Sequence, residues 1–116
     1  MAEARTIYHM CREDEWRTAE AAGSYGGSSQ DAADGFIHFS TAVQVADSAA
    51  RHRAGQDGLV LVAAAVAALG GALKWEPSRR GELFPHLYGP LPMAAVCWVS
   101  PLPLVSGRHV FPPLED

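Results

Sequence analysis

The sequence predicts an α+β domain built on a small, split, largely antiparallel β-sheet with two main helices. Three observations predict it. Short apolar runs rich in strand formers recur at residues 6–10, 36–39, 59–62 and 93–100. Two segments, residues 12–22 and 41–53, carry helix-start and helix-stop signals. Glycine or proline punctuates most junctions, which keeps the strands short and the connections tight. Strands and helices in this order pack as helices against an antiparallel sheet.

Residues 6–10 predict a first strand, with Ile7 and His9 on one face and Tyr8 and Met10 on the other. The helix that follows is acidic at its start, where Glu13, Asp14 and Glu15 favour the N-terminal dipole. Trp16 and Ala19 could face the core, and Gly23 ends the helix. Residues 23–35 read as a polar, small-residue loop with Tyr25 as its single aromatic. Loops this long in small domains are usually functional or mobile.

Thr41 and Gln44 have the spacing of a capping box, so a helix should run to about Arg53 and end at Gly55. Leu59 to Val62 is a buried strand. The alanines after it favour a helical turn, stopped by Gly70 and Gly71. Leu73 to Glu76 is short and extended, and residues 93–100 form a second apolar strand. A proline-rich tail should wrap the surface with little ladder. The whole is a single domain over residues 1–116, with a core of about 6–100 and a C-terminal wrap over 101–116.

Composition bounds the function. Hydrophobic residues make up 48% of the chain and charged residues 19%, the balance of a soluble globular protein. A net charge of -4 argues against a duplex nucleic-acid binder, which needs a basic stripe. Arg51, His52 and Arg53, and Arg79 with Arg80, are clusters large enough to meet one or two phosphates. Cys11 and Cys97 fit no metal or disulfide spacing. The apolar run from Leu59 to Leu69 is far short of the ~20 residues a membrane span needs. No secretion signal follows Met1, so a reduced, cytoplasmic setting is expected, with no membrane partner.

Two segments carry the candidate site. In residues 34–41, Asp34 to Thr41, His38 lies inside an apolar strand beside Phe36, Ile37 and Phe39. An unpartnered polar ring there would cost on the order of 1–3 kcal/mol, so His38 has a partner or lines a cleft. In residues 81–92, Pro85 and the Gly89-Pro90 pair rigidify a connection that carries Glu82, His86 and Tyr88. If extended, it projects Phe84, His86 and Tyr88 to one side.

His9, His38 and His86 thus sit in structured apolar segments, whereas His52 and His109 look solvated. Each of the three could instead cap a carbonyl or fill a half-buried slot. A histidine zinc site lacks any local ligand spacing, and no metal is expected. Glu76 and Glu82 could form a carboxylate pair, although Glu76 beside Lys74 suits a surface ion pair equally well. Ser40 has no base partner in the linear sequence and suits a turn hydroxyl.

Taken together, Ile7-Tyr8-His9, Trp16, the GFIHFST run from Gly35 to Thr41, Leu73 to Glu76, and the FPHLYGPL run from Phe84 to Leu91 resemble a bacterial and plant family. That family is domain of unknown function 952, and the likeness spans about Thr6 to Val99. The family is in turn similar to a compact ADP-ribosyltransferase-like fold, a split sheet holding NAD in a central cleft. The resemblance implies a small-molecule nucleotide ligand, NAD or a relative, with ADP-ribosyl transfer or NAD hydrolysis as the reactions such a site could carry. His9 would meet ribose hydroxyls, and Tyr25, Phe36 or Tyr88 would stack on a base or on nicotinamide. His38 would position the reacting ribose, and Ser40 lies in the same segment. Glu82 or His86 would act as base or electrostatic stabiliser, standing in for a third-strand glutamate that this sequence lacks. The alternative is a non-catalytic small-ligand or interaction module with structural histidines.

Overall fold

A computed structural model describes residues 4–116 of the chain. Its strands are β1 (Thr6–Arg12), β2 (Ser24–Tyr25), β3 (Ile37–His38), β4 (Leu59–Ala65), β5 (Leu73–Pro77), β6 (Leu83–Leu87), β7 (Leu91–Pro92), β8 (Val96–Leu102), β9 (Leu104–Val105) and β10 (Arg108–His109). Three helices, α1 (Glu13–Ala22), α2 (Ser29–Asp34) and α3 (Val45–His52), lie among them.

Two three-stranded antiparallel sheets carry the fold, in the orders β1-β4-β8 and β3-β6-β5. Among the described residues they are joined by one isolated bridge, where Tyr8 and Ser40 exchange two backbone hydrogen bonds of 2.8 Å. Away from that bridge the sheets part. The expected α+β, antiparallel architecture is therefore present, and the split lies between β1 and β3.

The continuous apolar run of β4 follows from its central place in the first sheet. Val60, Val62 and Ala64 face one hydrophobic cluster, which includes Ile7, Cys11, Trp16, Tyr25, Ile37, Phe39, Leu87 and Leu91. Leu59, Leu61 and Ala63 face another, with Tyr8, Val45 and Leu102. A strand covered on both sides has no reason to alternate. Each large side chain buried this way contributes about 1.5–3 kcal/mol.

In α1, Trp16 and Ala19 are buried as expected. Arg17 reaches Glu13 at 3.1 Å and Glu20 at 3.2 Å along the exposed face. Gly23, at φ 91°, closes the helix and returns its N–H to the Ala19 carbonyl. Glycine takes this left-handed conformation without a Cβ penalty.

The expected loop over residues 23–35 is structured instead. Ser24 and Tyr25 pair with Leu91 and Pro92, and α2 follows. A capping box explains this helix. The Asp31 N–H donates to Ser28 Oγ, and the Asp31 carboxylate accepts the Ser28 N–H at 2.7 Å. The Thr41–Gln44 box also forms, with reciprocal bonds of 3.0 and 3.3 Å, but it closes a turn just ahead of α3.

Other boundaries shift by a few residues. β4 runs to Ala65 before a 3₁₀ turn at Val66–Ala68, because β1 pairs along the whole of it. Met93–Ala95 is also a 3₁₀ turn, so the last long strand starts at Val96. The connection bearing His86 is the central strand β6, and Pro85 within it still accepts the Phe39 N–H at 3.0 Å. The tail forms one small hairpin, β9–β10, and then wraps. Its end is pinned to β1, where the Tyr8 hydroxyl donates to the Glu115 carbonyl at 2.5 Å.

Candidate functional site

The split between the sheets opens a cleft of about 610 Å³, lined by His9, His38 and His86 together with Asp31, Asp34, Ser40, Phe84 and Arg53. Its size is in the range of small-molecule sites, roughly 300–1,000 Å³.

His9 forms the floor. β1 directs it toward the buried face shared with Ile7 and Cys11, and it is only 3% exposed. Its Nδ1–H donates across the split to the His38 carbonyl at 2.6 Å, and Nε2 accepts from the Tyr25 hydroxyl at 2.8 Å. Burial holds its pKa below the usual imidazole value, although Asp31 and the His38 carbonyl oppose that. A neutral His9 fits both bonds. No ring nitrogen is left for a ribose hydroxyl in this arrangement, so the expected hydroxyl-gripping role does not match the geometry. Tyr25 likewise lies behind the cleft, where burial raises its pKa and its ring packs on Trp16 and His9.

His38 is held by two carboxylates. Nδ1 lies 2.6 Å from Asp31 Oδ1, and Nε2 lies 3.0 Å from Asp34 Oδ2. Asp31 is itself 3% exposed and fully engaged. One oxygen takes the His38 ring and backbone N–H, and the other takes the Ser28 N–H and hydroxyl. Burial alone would raise its pKa, but these donors outweigh that and bring the group down to about 2.

His86 lies directly opposite His38 in the β3–β6 ladder, with ring centroids 5.6 Å apart. Its Nδ1 is 2.8 Å from Glu76 Oε1, which also accepts the Tyr88 hydroxyl at 2.7 Å. Those two donors, Tyr88 first, lower the Glu76 pKa. Phe36 stacks on His86 at 4.1 Å and 26°, and packs at 4.6 Å on His38 and 5.2 Å on Tyr88.

The structure thus brings His38, His86, Phe36 and Tyr88 into one cluster, with His9 and Tyr25 beneath it. Glu82 is elsewhere. Its carboxylate accepts from Gln44 Nε2 at 3.2 Å, and the residue does not line the cleft. The turn at Arg79–Gly81 sets it apart, and Glu76 on β5 takes the place beside His86. Ser40 lines the cleft, but its hydroxyl is shared with Ser48 at 3.0 Å.

Asp31 and Asp34 have no role in the sequence reading, which gives Glu76 only as half of a carboxylate pair with Glu82 and Arg53 only as part of a basic cluster. Asp31 had a signal in its capping-box spacing to Ser28. Arg53 belongs to the small basic cluster after α3, and its guanidinium donates to the Met10 carbonyl and to Gln56, each at 3.1 Å. His52 also lines the cleft, although its sequence suggested a solvated position without a role. Among the described residues, no group of three or more His, Cys, Asp and Glu side chains is arranged to hold a metal ion. No helix among them is long and apolar enough to cross a membrane.

A family model described as "Protein of unknown function (DUF952)" matches residues 10–99. Among solved structures, the crystal structure of protein CC0527 from Caulobacter crescentus is 43% identical, covers 90% of this chain and 93% of that one, and superposes with a TM-score of 0.87. The solution structure of CC0527 is also 43% identical, covers 90% of each chain, and superposes at 0.79. No curated protein matches the chain.

Proposed function

The chain belongs to the DUF952 family of proteins of unknown function, and within that family we propose that it binds NAD or a related nucleotide in the histidine-lined cleft between its two sheets. Such a ligand would be open to ADP-ribosyl transfer or hydrolysis there. The observation that carries the reading is the convergence of His9, His38, His86 and Arg53 on one cleft, with Phe36 packed against the rings of His38 and His86 at its edge. The ring of Phe36 offers a stacking surface for a base or for nicotinamide. Arg53 supplies a guanidinium for phosphate. His38, fixed between Asp31 and Asp34, offers a rigid and electrostatically defined wall beside a reacting ribose.

Cleavage of a nicotinamide–ribose bond builds positive charge at the anomeric carbon, and Asp34, which lines the cleft beside His38, is a carboxylate placed to stabilise it. Calorimetric titration with NAD and with ADP-ribose tests the reading. Saturable heat with the wild type, weakened at least tenfold by Phe36→Ala, is the expected result. No heat from either ligand at millimolar concentration would remove it.

A second reading has its own support. Both nitrogens of His9 are spent on protein partners, so this histidine braces the split as a structural group. A non-catalytic ligand or interaction module would need no more. Saturable binding of NAD without any turnover favours that module.

A further inference from the structure

His38 and His86 are neighbours in the ladder, yet they present different chemistry to the cleft. Both nitrogens of His38 face carboxylates. His86 has one engaged nitrogen. Its Nδ1 lies 2.8 Å from Glu76 Oε1, and a carboxylate can only accept, so in the neutral ring the proton sits on Nδ1 and the lone pair on Nε2. Among the described residues no hydrogen bond reaches that Nε2, and His86 lines the cleft. Two further contacts hold the ring and its partner. Phe36 stacks on the imidazole, and the Tyr88 hydroxyl anchors the same Glu76 oxygen.

We propose that His86 is the proton acceptor of the cleft, with Glu76 as the positioning residue that fixes its tautomer. The proposal rests on the nucleotide reading above and names its chemistry as hydrolysis with water as co-substrate. Water oxygen bonds to the anomeric carbon as one of its protons passes to Nε2 of His86. The carbon–nitrogen bond to nicotinamide breaks, and its electron pair neutralises the pyridinium ring. ADP-ribose and nicotinamide leave, and His86 returns the proton to solvent. A bare Nε2 backed by a carboxylate is the arrangement a general base needs. His38 cannot fill that role while Asp31 and Asp34 occupy both its nitrogens.

Long-range ¹H–¹⁵N NMR of the imidazoles in ligand-free protein reads the couple without any nucleotide. His86 should show Nδ1–H with a bare Nε2. Glu76→Ala should mix the tautomers, and Glu76→Gln, which keeps an accepting oxygen, should restore the wild-type pattern. An Nε2–H tautomer in the wild type, or no change in Glu76→Ala, overturns the proposal.

The same protein is then given NAD. Release of nicotinamide should fall about 100-fold or more in His86→Gln, while calorimetric affinity stays within a few-fold. NAD bound without nicotinamide release, or release unaffected by His86→Gln, overturns the base assignment and leaves nucleotide binding standing. An absence of NAD binding removes both.

Discussion

Oδ1 of Asp31 accepts two hydrogen bonds from His38, one from its backbone N–H at 3.1 Å and one from Nδ1 at 2.6 Å. The other oxygen of the same carboxylate caps α2 through Ser28. One buried group therefore ties a helix start to a sheet and fixes the plane of the half-buried imidazole. Asp31→Asn cannot accept at both positions, so it leaves buried donors unpaired. The expected loss is about 3 kcal/mol, a fall of roughly 10–20 °C in melting temperature. Thermal unfolding followed by circular dichroism checks it, and a fall of only a degree or two would show that Asp31 does not carry this load.

Acid stability should show two separate limbs. His9 titrates lower in the fold than in the unfolded chain, so protonation favours unfolding. Its contribution is whole above the unfolded value near 6.5 and declines as pH falls below it. Asp31 is depressed to about 2, so its contribution is whole above its unfolded value near 3.8 and is lost as pH falls toward 2. That second limb amounts to roughly 2 kcal/mol. Denaturant midpoints measured from pH 8 to pH 2 should fall from near 6.5 downward. His9→Gln should flatten the upper limb and leave the lower one.

Gly27 holds the site from behind. A Cβ at this position would lie 2.8 Å from Asp31 Cβ and 3.2 Å from Ile37 Cγ1, on a backbone with φ of 100°. Gly27→Ala must therefore displace Asp31 or strain the chain, at a cost of about 1–3 kcal/mol. The readable consequence is at His38, whose ring resonances should broaden or shift. Gly26→Ala, with open space around it, is the matched control. Equal melting points for the two variants would contradict the packing described.

Tyr25→Phe removes the donor to His9 Nε2 and leaves a buried acceptor unpaired. A destabilisation of about 1–3 kcal/mol is expected from chemical denaturation. The same substitution should raise the reactivity of His9 toward imidazole-modifying reagents, since its lone pair is released. Unchanged stability would mean that the His9–Tyr25 bond is not maintained in solution.

How much of this could be seen in the chain depends on the physics of each part. Alternation along residues 6–10 separated Ile7 from Tyr8 correctly, because the two faces of β1 meet two different hydrophobic clusters. The histidines stood out because an imidazole in an apolar run needs an explanation. Asp31 did not stand out. A six-residue helix is too short to show an amphipathic period, and the Ser28–Asp31 capping spacing was its one local signal. Glu82 looked nearer to His86 than Glu76 did, since it is four residues away instead of ten. Strand register reverses that. The hairpin between β5 and β6 sets Lys74 opposite His86 and Glu76 opposite Phe84, and its turn carries Glu82 toward Gln44. The length and shape of that turn depend on Arg80 at φ 56° and Gly81 at φ 78°, a conformation no periodicity reveals.

The central claim, that a nucleotide occupies the cleft between the two sheets, is tested most directly by titrating ¹⁵N-labelled protein with NAD and following backbone and imidazole resonances. The account predicts saturable shifts concentrated at Phe36, His38, Arg53 and His86, with the β9–β10 hairpin unaffected. Shifts absent at millimolar NAD, or centred away from the cleft, would contradict it.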